Sequence, residues 1–130
     1  MEARVEPPGG LPPVTFLNTH FQHDDPGTRA EQAAKVNELF GKADGPLILA
    51  GDLNAVPDSG PMRAIAKTWT LATPADERLR TVPAARPRHQ IDYVLFRPAG
   101  RFRVTEAKVV EERVASDHRP VLAVLEWAGK

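Results

Sequence analysis

Thirteen prolines and nine glycines in 130 residues set the scale of everything this chain can build. Proline fixes φ and lacks the amide proton that helix interiors and central strands require, so it ends elements more readily than it enters them. A chain punctuated this often folds as short strands and helices joined by stiff loops, not as a long helical bundle. At 130 residues it makes one domain, residues 1–130, with enough length to bury a core. The hydrophobic share of 42% and charged share of 26% are those of globular chains and exclude a disordered or fibrous one. With no cysteine there is no disulfide framework, thiolate nucleophile or zinc finger. The longest wholly apolar run, residues 121–125, has no transmembrane length. Met1-Glu2-Ala3-Arg4 opens no apolar signal peptide, so a soluble, cytoplasmic chain is expected.

Between the punctuation marks the patterns alternate in type. Residues 2–6 read as the tail of a strand, and with the Pro/Gly loop after them residues 1–13 form an N-terminal stub. Val14–His20 is β-rich and reads as a strand. Thr28 and Glu31 form a capping-box pair, opening a helix with Ala33, Val36 and Phe40 on one face and Gly41 as its stop. Residues 47–50 are continuously apolar, as in a strand buried on both faces. Ser59 is placed to cap a second helix with Met62, Ile65, Ala66 and Trp69 on one side. Residues 70–89 read as a basic loop, and residues 91–96, 103–110 and 121–127 as three strands. The class is therefore α+β.

The net charge of zero conceals an asymmetry. Residues 1–60 carry 4 basic and 9 acidic groups, whereas residues 61–130 carry 13 basic and 8 acidic. Seven arginines and one acid, Asp92, lie between Arg78 and Arg103. Such a run is either a solvated surface or a rim that faces phosphate, since Arg presents a planar donor fork to phosphate oxygens.

The reactive residues fall at strand ends. The apolar run 47–50 leads into Gly51-Asp52-Leu53-Asn54. Gly51 lets backbone pass closely, Asp52 emerges at a strand's carboxyl end, and Asn54 follows two residues on. The pair either forms a turn or holds a metal and a phosphate oxygen together. His20 ends Asn18-Thr19-His20. Asp92 lies inside the apolar stretch Gln90-Ile91-Asp92-Tyr93 and must be paired there, because burying a lone carboxylate is costly. Orienting a histidine is one role that satisfies it. Ser116-Asp117-His118-Arg119-Pro120 precedes the last strand. A metal site built from His20, His23, His89 and His118 alone is the weakest reading, since these histidines lack a ligand spacing such as His-x-x-x-His on a helix.

These four motifs, in this order, resemble the endonuclease/exonuclease/phosphatase superfamily, and the approach from Thr81 to Pro87 and the closing Pro-Val strand fit it as well. The resemblance runs from about Arg4 to Trp127 and implies a metal-dependent phosphoesterase acting on nucleic acid, phospholipid or a small phosphate ester, with Mg²⁺ or Mn²⁺. It implies that Asp52 positions or deprotonates the attacking water and that Asn54 holds the scissile phosphate. His118 would face that phosphate with Asp92 holding its ring, and His20 would be a second phosphate-facing histidine. Asp52, Asn54 and Asp117 would serve the metal. The implied fold is the αββα sandwich, two sheets flanked by helices.

The superfamily's domain is roughly twice this length, and the chain resembles only its C-terminal half. One mixed sheet with helices on one face and an apolar opposite face is expected. That opposite face would be covered by a homodimer partner or by a complementary N-terminal half. The first half of the superfamily also brings a metal-ligating Glu, which Glu2 and Glu6 in the stub do not replace. The expected result is a catalytically incomplete phosphoesterase. The alternative is a non-catalytic remnant that binds phosphate groups or a partner chain.

Overall fold

The computed structural model describes residues 1–128. Nine elements appear in the order β1 (Glu2–Val5), β2 (Val14–His20), α1 (Pro26–Phe40), β3 (Leu47–Asp52), α2 (Gly60–Ile65), β4 (Thr70–Leu71), β5 (Asp92–Arg97), β6 (Phe102–Val109) and β7 (Val121–Trp127), with two short 3-10 turns at Glu77–Leu79 and Ala99–Arg101. Five strands make a mixed sheet in the order β1-β2-β3-β5-β4. Its one parallel pairing is β2 with β3, with α1 as the crossover that a parallel pair requires. β6 and β7 form a separate antiparallel ribbon.

Alternation along the strands sorts the sheet into two faces. Leu17, Leu49, Leu95 and Tyr93 point to one side and are buried against α1 and α2, together with Ala33, Met62, Ile65 and Trp69. Val14, Phe96, Ile48 and Val94 point to the other, where the ribbon supplies Phe102, Val104, Ala123, Leu125 and Trp127. Phe102 is the pivot of that second layer. It meets Phe96 edge-on at 5.6 Å and Trp127 edge-on at 5.3 Å between ring centroids. The cover is partial: apolar grooves of about 280 and 320 Å³ remain between ribbon and sheet, both touching Phe16, Ile48 and Leu125.

Two local expectations change. α1 begins at Pro26, and Asp25 caps it, accepting the amide protons of Gly27 at 3.0 Å and Thr28 at 3.1 Å. Proline at the first helical position has φ preset and no amide to satisfy, so the start moves ahead of Thr28. α2 ends at Ile65, and Ala66 is exposed, whereas Trp69 beyond the helix is buried. Ser59 stands at the cap position without a side-chain bond to the helix.

Candidate active site

Strand register alone assembles three of the polar residues. His20 pairs with Asp52 across β2 and β3, and Asp52 with Asp92 across β3 and β5. The three ends therefore form one row on adjacent strands, on the sheet face that the ribbon covers. Gly51 makes the row possible. Its φ is 150°, and a Cβ there would lie 1.8 Å from the Thr19 carbonyl oxygen, so no other residue lets β2 and β3 close up immediately before Asp52.

His118 joins the row from the segment before β7. The hairpin of residues 82–89 holds that segment from below. The Ala84 amide donates to the Asp117 carbonyl at 2.7 Å, the Arg119 amide to the Thr81 carbonyl at 2.9 Å, and Arg119 Nε to the Ala84 carbonyl at 2.7 Å. So held, His118 Nδ1 lies 2.9 Å from Asp92 Oδ2 and 3.9 Å from Asp52 Oδ2. Thr81 Oγ1 donates to the same Asp92 oxygen at 2.5 Å. Asp92 is thus a partly buried carboxylate satisfied by two donors, one of them the imidazole, which fixes the ring and its tautomer. Among the described residues Nε2 of His118 has no partner, leaving that nitrogen for a ligand. A depression of about 350 Å³ opens here, lined by Asp52, Asp92, His118 and Arg119 among others.

Asp52 is less comfortable. Burial pushes its carboxyl above the ordinary range, and the neighbouring charge of Asp92 adds to that, against the amide hydrogen bond from Asn54 and the attractions of His118 and His20. His20 Nε2 stands 3.5 Å from Asp52 Oδ2 but is itself mostly exposed. Asn54 closes a turn onto Asp52. Its φ is 47°, its amide donates to Asp52 Oδ1 at 2.7 Å, and its side-chain Nδ2 donates to the Phe21 carbonyl at 2.8 Å. The turn and the site are thus the same object, with the Asn54 side-chain oxygen left as an acceptor. Asp117 stands apart. It is exposed, accepts the Ser116 hydroxyl at 3.3 Å, and lies outside the group in which Asp52, Asp92 and His118 each bring an atom within 4.8 Å of the others.

Two supporting residues lie in segments that the sequence singles out, but their roles are not legible there. Thr81 is fully buried, and its place beside Asp92 depends on how the hairpin docks. Tyr93 lies behind the site, its hydroxyl 2.7 Å from the Ala55 carbonyl and 2.9 Å from that of Gln90. Burial first, then the charges of Asp92, Asp58 and Asp52, raise its pKa far above the phenolic norm, so it stays a neutral donor.

The sequence profile of the Endonuclease/Exonuclease/phosphatase family matches residues 2–118. The chain belongs to that family. Members of the endonuclease/exonuclease/phosphatase family are metal-dependent hydrolases of phosphate esters, and the α+β sheet with its few helices has the family's fold. A family member from Bacteroides vulgatus superposes with a TM-score of 0.73 at 25% identity, over 88% of this chain and 50% of that one. A mannosyl-6-phosphatase from Bacteroides thetaiotaomicron gives 0.72 at 22%, over 88% and 52%. A functionally unknown conserved protein from Enterococcus faecalis gives 0.78 at 18%, over 92% and 52%. The chain thus spans about half the length of these structures. No curated protein matches it. No helix among the described residues is long and apolar enough to cross a membrane.

Proposed function

We propose that this chain carries the phosphate-facing half of a metal-dependent phosphoesterase centre and hydrolyses phosphate esters when a complementary half completes it. One observation carries the reading: the His20, Asp52 and Asp92 row, with His118 fastened to Asp92 at 2.9 Å beside it. Paired strand ends, a glycine that only this packing demands and an oriented imidazole with one free nitrogen make a poor arrangement for a surface and a good one for an anionic ester.

Asp52 is the residue that fits a cation. It is a partly buried carboxylate destabilised by a second one, and a divalent ion would offset both burdens. Asp52 and the side-chain oxygen of Asn54, both hard oxygen donors, would hold Mg²⁺ or Mn²⁺, and Asp117, exposed and outside the cluster, would serve the ion only through water. When bound, that ion supplies positive charge for the phosphoryl oxygens. The chain's own residues do the rest. Asp52 orients a water for attack and accepts its proton. His118, its ring held by Asp92 and Thr81, presents Nε2 to the phosphate, and His20 approaches from the neighbouring strand. Asn54 donates from Nδ2 to the same phosphate once that group leaves the Phe21 carbonyl.

The mannosyl-6-phosphatase relative makes a small phosphate ester as suitable a substrate as a nucleic acid or phospholipid. A complementary half, or a second copy, would settle over the apolar grooves beside Phe16 and Ile48 and bring the missing metal ligand. The test is hydrolysis of bis-p-nitrophenyl phosphate with Mg²⁺ or Mn²⁺, for the chain alone and mixed with the N-terminal half of a family member. Weak turnover alone, strong turnover in the mixture and its loss in Asp52→Asn and His118→Ala support the reading. A folded mixture with no metal-dependent turnover above the Asp52→Asn background overturns it in favour of a phosphate-binding remnant.

A further inference from the structure

The loop from His20 to α1, residues 21–25, is exposed from His23 onward, and its backbone is nevertheless tied down at every residue. Exposed loops ordinarily leave such groups to water, so each tie needs a reason. Part of the answer is local. Gln22 Oε1 accepts from the amides of Asp24 at 2.6 Å and Asp25 at 3.2 Å, and Asp25 caps α1. The other ties come from two directions. From α1, Arg29 Nη1 donates to the carbonyls of Gln22 at 3.2 Å and His23 at 2.7 Å, and Gln32 Oε1 accepts the Gln22 amide at 2.9 Å. From the site, the Phe21 amide donates to the Asp52 carbonyl at 2.9 Å, and the Phe21 carbonyl accepts from Nδ2 of Asn54 at 2.8 Å.

The two sets of ties meet in one rigid body. The Phe21 carbonyl and the Gln22 amide belong to the same planar peptide unit, in which C=O and N–H point opposite ways. Asn54 holds one end of that unit and Gln32 holds the other. A tilt that loosens one bond therefore loosens the other. Arg29 fixes the carbonyls of the next two units, and a guanidinium on a carbonyl makes a stronger bond than a neutral donor does. Arg29 and Gln32 are three residues apart on α1, hence neighbours on its surface, and both are partly buried. Phe21 is 3% exposed, so its ring anchors the near side of the unit in the core. Asn54 has no other side-chain hydrogen bond among the described residues, and the position of its carboxamide follows that of the Phe21 carbonyl.

We infer that Gln32 and Arg29 are positioning residues for Asn54. Through the Phe21–Gln22 peptide unit they set where the Asn54 carboxamide stands beside Asp52 and how readily its Nδ2 is released. The catalytic consequence rests on the reading above, in which Asn54 meets the scissile phosphate. Neither Gln32 nor Arg29 touches a reacting atom.

The chain holds three asparagines and three glutamines, so the side-chain NH₂ signals of isotope-labelled protein are few enough to assign individually by NMR. Proton exchange with solvent at Asn54 Nδ2 reads its bond to Phe21. Gln32→Met and Arg29→Gln should each speed that exchange roughly tenfold, about one hydrogen bond's worth. Gln32→Glu keeps the acceptor and should keep the protection. Lys35→Gln, which breaks an exposed pair with Glu38 on the same helix, should change nothing. Gln90 Nε2, bonded to the Thr73 and Pro74 carbonyls, is the internal reference and should stay slow throughout. In the mixture with a complementary half, Gln32→Met should lower kcat roughly tenfold, and almost no further in the Asn54→Ala background, where nothing is left to position. An unchanged Asn54 signal in Gln32→Met, faster exchange at Gln90 as well, or the same loss of kcat with and without Asn54→Ala overturns the inference, the last two because they mark general support of the fold. If Arg29→Gln does not fold, Gln32→Met, which cuts a single neutral hydrogen bond, decides by the same readings. If the mixture hydrolyses nothing, the proposed function fails, and the exchange at Asn54 in the chain alone still decides the positioning.

Discussion

The two faces of the five-stranded sheet are built from the same strands and finish differently. On the helix side Leu49, Leu95 and Tyr93 are at most 1% exposed, and α1 and α2 close over them. On the ribbon side Ile48 and Val94, one residue away along the same strands, are only partly covered, and grooves remain. The helix face is a completed core, where packing determines stability. The ribbon face holds the polar row at its rim, where the partly buried carboxylate of Asp52 is kept at a cost. Stability and chemistry are thus divided between odd and even positions of one sheet.

The sharpest break between the faces would come from activity. In the mixture with a complementary half, Asp52→Asn should lower kcat about a thousandfold, roughly 4 kcal/mol of barrier, with the fold unchanged by circular dichroism. A variant that unfolds would place Asp52 in the structural class instead. Next in size is Leu49→Ala on the closed face, expected to cost about 3 kcal/mol in urea unfolding, because the α1 and α2 contacts leave a cavity that cannot collapse. Tyr93→Phe should cost about 1–2 kcal/mol, since it strips a donor from the buried carbonyls of Ala55 and Gln90. Ile48→Ala should cost only about 1 kcal/mol, its side chain being only partly covered. If Ile48→Ala matched Leu49→Ala, the ribbon side would be as complete as the helix side and the contrast would fall.

The smallest effect has the opposite sign. Folding raises the Asp52 pKa above its ordinary value of 3.8. The folded chain therefore holds that proton more tightly than the unfolded chain, and the group's contribution to stability is full below the unfolded value and lost as pH rises through the folded one. At neutral pH the charged carboxylate is a burden, so Asp52→Asn should melt roughly 2–4 °C higher than wild type. The gap should open as pH rises from 3.8 and then stay level towards neutrality. A gap that is constant down to the most acid pH would show that desolvation of Asp52 plays no part.

Local chemistry was enough to read most of the elements and to single out the residues of the candidate site. The alternation in Val14–His20, the apolar run into Gly51-Asp52 and the embedded Asp92 each announced themselves, because period and burial cost act over a few residues. The sequence also determined that Gly51 would permit a close approach and that Asp92 would need a partner. It did not determine what lay opposite. Only the tertiary structure decided that His20, Asp52 and Asp92 share a row, since strand register is set by pairing among segments tens of residues apart. It decided that Thr81 supports Asp92, that Asp117 faces solvent outside the cluster, and that Asp25, not Thr28, caps α1. It separated β6 and β7 from the sheet as a ribbon, although all three late strands read alike in sequence. The arginine run makes the same point: seven identical side chains have one propensity, and only their neighbours in space send Arg78 to Asp76, Arg97 to the carbonyls of Phe40 and Ala43, and Arg103 to Glu126. Periodicity reports which face a residue takes; which partner waits on that face is a property of contacts between distant segments.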